Sequence, residues 1–185
     1  MKRQVIFAIA LLTAISSEMA AQRTMNGQYF VSARLSHDFS SAESFGGGLS
    51  FGQYLLNSYW YSSFAMDNRS TSLSSGHDMD CTDFFVEGGW MYRFAATNTR
   101  RLCCYAGGSA FVGYQSYDTF AKLPSNIRTG LGAGSFLYGL SPAVELEYFI
   151  FRKVALTFRA SMPVQIDSPT GWIKWSLGLG ARFNL

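Results

Sequence analysis

The closing stretch Trp172-Ile173-Lys174-Trp175-Ser176-Leu177-Gly178-Leu179-Gly180-Ala181-Arg182-Phe183-Asn184-Leu185 decides the fold. Taken two residues at a time, it puts Ile173, Trp175, Leu177, Leu179, Ala181, Phe183 and Leu185 on one side. Lys174, Ser176, Gly178, Gly180, Arg182 and Asn184 fall on the other. Strand side chains alternate between faces, so this is one apolar wall and one polar or small wall. The alternation runs to the last residue, longer than a soluble sandwich strand usually is and suited to crossing a membrane.

The two preceding segments repeat the design. In Arg152 to Val164, the apolar side holds Val154, Leu156, Phe158, Ala160, Met162 and Val164, and Ala155, Thr157, Arg159 and Ser161 face the other way. In Phe136 to Phe149, Phe136, Tyr138, Leu140, Pro142, Val144, Leu146 and Tyr148 alternate against Gly139, Ser141, Ala143, Glu145 and Glu147. The charges sit on the face away from the apolar band. In a lipid-embedded barrel that face is the lumen, since an ionised group facing lipid costs about 2 to 4 kcal/mol near the midplane.

A chain of 185 residues is one domain, and a formal charge of +3 with no block of like charge points to no nucleic-acid partner. Aromatics at 16% and 18 glycines against 4 prolines suit a curved, aromatic-girdled sheet. Residues 1–21 read as a cleaved export signal: Lys2 and Arg3 are the positive start, Val5 to Ile15 the apolar core, and Ser16 to Ala21 the small-residue end. The apolar core is too short to span the bilayer as a helix. Cleavage after Ala21 removes two positive charges and one negative, taking +3 to +2, and leaves residues 22–185 as a single barrel domain.

Reading forward, strands are expected at Gln28–Ser36, Ser44–Tyr54, Ser58–Met66, Thr82–Phe94 and Leu102–Tyr117, followed by the three above. The facing of Leu102–Tyr117 is ambiguous. The glycines at 46, 48 and 52 predict a sharp bend or the close approach of a large lumen side chain. Eight antiparallel strands in up-and-down order are the fewest that close a transmembrane β-barrel. Odd connections are long and polar, at His37–Glu43, Asp67–Cys81, Asp118–Gly134 and Gln165–Gly171. Even ones are short, at Leu56-Asn57, Ala95–Arg100 and Ile150-Phe151. That asymmetry predicts long loops outside the cell and both termini in the periplasm.

Candidate chemistry is sparse. His37 and His77 are the only histidines, both expected in loops, and His77 lies beside Ser74, Ser75 and Asp78. A lipid-modifying barrel enzyme would need such a nucleophile, base and acid near the bilayer edge, but a serine-rich loop collects these residue types by chance. No catalytic, cofactor-binding or metal site is assigned. Cys81, Cys103 and Cys104 form neither a zinc pattern nor a disulfide framework, and a Cys81–Cys103 bridge stays open. Asn68-Arg69-Ser70 matches a glycosylation sequon by coincidence. Arg34, Glu87, Arg93, Glu145, Glu147, Arg159, Lys174 and Arg182 are expected to point inward, where eight strands leave room only for side chains. Glu145 and Glu147 are expected to pair with Arg159 or Arg182.

Gly107-Gly108-Ser109-Ala110-Phe111-Val112-Gly113-Tyr114, then Phe136-Leu137-Tyr138-Gly139, then Glu145-Leu146-Glu147-Tyr148 with Arg152 beyond, resemble the corresponding run of the conjugal-transfer TraO family of Bacteroidetes conjugative transposons. Ala21-Gln22-Arg23, Gly27-Gln28 and the closing Gly178 to Leu185 are similar too. Gly180, Phe183 and Leu185 also resemble the C-terminal insertion signal of outer-membrane barrels, with Gly178 and the final Leu as departures. The resemblance implies an outer-membrane component of a DNA-transfer apparatus, with no catalytic residues to carry over. The expected function is therefore a non-enzymatic anchor or docking element. Its expected partners are outer-membrane lipid and other conjugal-transfer proteins, without direct nucleic-acid binding. The alternatives are a lipid-modifying barrel enzyme and a surface barrel or adhesin unrelated to conjugation.

Overall fold

A computed structural model describes residues 26–39, 44–72, 78–117, 134–166 and 173–185. The expected leader, 1–21, lies outside them. The strands are β1 (Tyr29–Asp38), β2 (Phe45–Leu55), β3 (Ser58–Ser72), β4 (Asp78–Ala96), β5 (Leu102–Tyr117), β6 (Gly134–Phe149), β7 (Val154–Ser161), β8 (Val164–Ile166) and β9 (Ser176–Asn184). β7 and β8 both pair with β6 and form one stave, interrupted at Met162-Pro163. The sheet runs β5-β4-β3-β2-β1-β9-β7-β6, and β5 pairs with β6 as well, closing eight antiparallel staves into the barrel the alternation predicts.

The registers fix its shape. The rung from Tyr29 passes through Gln53, Trp60, Trp90, Gly108 and Pro142. It continues over Met162 and Trp175 and returns to β1 at Phe39, ten residues from its start. A shear of ten on eight staves sets a strand tilt of about 40° and a backbone radius of about 8 Å. Such a barrel encloses side chains and little else.

Every rung residue lies on the outward face, where Leu49, Phe64, Val86, Val112, Leu140, Val144, Leu146, Phe158 and Leu179 stand exposed. Aromatic residues border this belt, including Tyr29 stacked on Phe51 at 5.5 Å and Trp60 donating Nε1–H to Gln53 Oε1 at 3.3 Å. Apolar outside and charged inside is the inverse of a soluble protein and the pattern lipid requires. The barrel resides in the outer membrane. β5 resolves to one facing, with Cys103, Tyr105, Ser109, Phe111, Gln115 and Tyr117 inward. Gly52 meets the second expectation for its glycine-rich strand: a Cβ there would lie 2.4 Å from Phe30 Cζ, so its absence admits that ring to the lumen.

Several boundaries differ from the sequence reading. The region expected as a loop from Asp67 to Cys81 is largely hairpin, because β3 runs to Ser72 and pairs with β4 from Asp78. His37 belongs to β1, and Gln165 is buried in β8, so neither begins a loop. The stave expected as Arg152–Val164 breaks because neither Pro142 nor Pro163 has an N–H. Met162 N–H still donates to Pro142 O and Lys174 N–H to Pro163 O, but neither bond is reciprocated. β9 is shorter than Trp172–Leu185, with one bridge preceding it at Ile173–Val164.

Val144 sits midway along β6 on the lipid face. Val144→Arg is expected to lower unfolding free energy by about 2 to 4 kcal/mol in urea titrations in phosphatidylcholine vesicles. Asn68→Arg, beyond the belt, should leave it nearly unchanged.

Candidate functional site

The inward positions assemble into three storeys of charge. Nearest the short turns, Arg182 reaches from β9 between two carboxylates on β6, with Nη2 2.7 Å from Glu145 Oε1 and Nη1 2.9 Å from Glu147 Oε1. Tyr59 donates to Glu145 at 2.7 Å, and Tyr54 donates to Glu147. The guanidinium lies 4.2 Å from the Phe30 ring centroid and 4.6 Å from that of Tyr59, adding cation–π attraction. Phe30, Tyr54, Tyr59, Met91 and Tyr105 are all buried around it and seal the lumen at this end.

Glu87 is the hub of the middle storey. Arg159 Nη2 lies 2.8 Å from its Oε1, Ser109 Oγ donates to the same oxygen at 2.6 Å, and Arg34 approaches Oε2 at 3.8 Å. Tyr61 also donates to Glu87, and Arg159 stacks 4.7 Å from its ring centroid. Above, toward the long connections, Asp83 accepts from Arg69 at 3.0 Å, Lys174 at 3.5 Å and Gln115 at 2.7 Å. Between these upper storeys lies a cavity of about 60 Å³, bordered by Arg34, Asp67, Glu87, Arg159 and Gln165. It has room for a few water molecules.

Seven of the eight charges expected inside join this network. Arg182 takes both Glu145 and Glu147, while Arg159 goes to Glu87 as its direct ion pair. Arg93 does not join: it sits at the rim, donating to Asn57 Oδ1 at 2.6 Å and Leu56 O at 3.2 Å. Arg69, Asp83 and Asp67 were not expected in the lumen: the extended β3–β4 hairpin carries Asp67 and Arg69 in, and Asp83, inside the expected fourth strand, shares the inward parity of Glu87. Continuing the parity of Tyr59 and Tyr61 along β3 reaches Arg69, the signal that would have found it.

No acyl-transfer constellation forms at His37. Its Nδ1 lies 3.3 Å from Ser44 Oγ, but also 2.6 Å from Ser44 O, which can only accept, so Nδ1 carries a proton. The Ser44 hydroxyl donates to Asp38 O at 2.6 Å, closing the hairpin. Ser74, Ser75 and His77, and the side chain of Asp78, lie outside the described residues. Cys81 pairs across from Tyr117 near one end of the barrel and Cys103 from Glu147 near the other, so no disulfide joins them.

Fold and lumen together define an eight-stranded outer-membrane β-barrel filled by its own side chains. Residues 20–185 match the model of the family described as conjugative transposon protein TraO, and the chain belongs to that family. No curated protein sequence matches it significantly. Among solved structures, it is similar to Ail, the attachment invasion locus protein of Yersinia pestis, in complex with the heparin analogue sucrose octasulfate. That match has TM-score 0.54 and 15% identity over 87% of this chain and 100% of that one. Neisserial surface protein A matches with TM-score 0.54 and 15% identity over 85% of this chain and 95% of that one. OprG of Pseudomonas aeruginosa matches with TM-score 0.55 and 12% identity over 86% and 96%. At these identities the likeness is one of fold.

Removing Arg182 alone strands two buried carboxylates. Arg182→Met is expected to cost about 3 to 5 kcal/mol in denaturant unfolding of the reconstituted barrel. The triple variant Arg182→Met, Glu145→Gln, Glu147→Gln should recover most of that loss, because an uncharged storey leaves no unpaired ion.

Proposed function

We propose that this barrel is a non-enzymatic outer-membrane element of the conjugative-transposon DNA-transfer apparatus, acting as an anchor or docking point for other transfer proteins. The observation that carries the reading is the occupied lumen. Aromatic rings packed around the Arg182 storey leave no passage for a DNA strand or a protein, so the action falls to the rims and the outer wall. Family membership supplies the conjugative context. On this reading residues 1–21 are a removed leader and 22–185 the whole barrel. The long connections face outward, the short turns and both termini face the periplasm, and lipid surrounds the belt.

The surface-adhesin reading draws on the fold shared with Ail, whose name records attachment and invasion. Mating assays separate the two. Deleting the gene from the transposon should drop transfer frequency to background, with restoration by the gene supplied in trans. A deletion strain that transfers normally would favour the adhesin. The double variant His37→Ala, His77→Ala should transfer like the parent, whereas a barrel enzyme using either histidine would fail.

A further inference from the structure

The two short turns that neighbour each other at the β5–β6 seam carry four cations between them. Thr97–Arg101 joins β4 to β5 and holds Arg100 and Arg101. Residues 150–153 join β6 to β7 and hold Arg152 and Lys153. Phe149 N–H donates to Arg101 O at 2.8 Å, tying the turns together. Arg93 adds a fifth cation on the inner side of the same mouth. Among the described residues of this end, the only Asp or Glu side chains are Glu145 and Glu147, both buried against Arg182. The remaining turn, Leu56-Asn57, has no charged residue of its own and holds the Arg93 guanidinium on Leu56 O and Asn57 Oδ1.

Two further features mark this rim. Arg100 has φ +53°, the left-handed position of its hairpin, where glycine or asparagine would sit without strain. The fold holds an arginine there against its backbone preference, which directs attention to its side chain. Just inside the mouth, Asn184 is 2% exposed, and neither Oδ1 nor Nδ2 has a partner. Its backbone N–H donates to Lys153 O at 2.8 Å, which sets this open amide beside the basic turns.

We propose that this periplasmic rim docks an acidic segment of a partner protein, its carboxylates meeting Arg100, Arg101, Arg152 and Lys153 at the barrel mouth. The proposal rests on the docking reading above and names the chemistry of the partner. Phospholipid phosphates ring the outside of the belt. Arg93 and Arg101 instead share the inward register of Cys103 and Tyr105, over the mouth and away from lipid.

The test uses the mature barrel in phosphatidylcholine nanodiscs with a fluorescent hexaglutamate peptide. Binding is expected to weaken with salt and to fall by at least about tenfold in Arg100→Glu, Arg101→Glu, Arg152→Glu, Lys153→Glu. Arg100→Gly should also weaken binding while raising the urea midpoint, which separates lost docking from lost folding. In cells where gene deletion abolishes transfer, the fourfold reversal should lower transfer at unchanged amounts of folded barrel. Parental transfer by the reversal variant, in that same background, would overturn this inference and leave the broader reading standing. Equal hexaglutamate binding by parent and variant would overturn it too. So would a rim that ignores the peptide but selects phosphatidylglycerol or a single-stranded oligonucleotide.

Discussion

Hydrocarbon offers no hydrogen bonds, so a sheet embedded in it can leave no edge. The pairing of β1 with β9, from Phe30↔Asn184 to Asp38↔Ser176, removes the last one. Everything else in the molecule follows from that seam. Without it Tyr29–Asp38 and Ser176–Asn184 would each present unpaired backbone groups to lipid, each group costing several kcal/mol.

Closure with eight staves and a shear of ten leaves a narrow bore, which fixes what the interior can be. Each charge there must find its counter-charge across the bore rather than in water. Arg182 bridges from β9 to β6, Arg159 from β7 to β4, and Lys174, just before β9, to Asp83 on β4. These bridges cross-brace the wall at three heights. Their net worth over an apolar filling is small, but losing one partner of any of them is costly. Gly52 and Gly178 belong to the same economy of space: a Cβ at Gly178 would lie 2.6 Å from Arg34 Cδ. A full lumen moves function outward, to the rims that meet other proteins.

The barrel was legible because lipid outside and charge inside impose a strict period of two, and β6 shows it without a break from Phe136 to Phe149. The same reasoning failed where that contrast ends. Past Met66 and before Phe84 both faces of the β3–β4 hairpin are polar, so the alternation vanishes although the backbone ladder continues. Asp67 and Arg69 were lost with it. Pairing inside the lumen was only half legible: parity placed Arg159 and Arg182 inward, but which carboxylate each met depended on the shear. The break at Pro163 arises from two prolines meeting across one stave, a coincidence of register invisible along the chain.

The central claim is that this chain closes into a barrel within the outer membrane. A heat-modifiability gel of outer-membrane fractions, boiled against unboiled, tests it most directly. The account predicts a faster-migrating unboiled band confined to that fraction. A band that never shifts, or a protein recovered soluble from the periplasm, would contradict it.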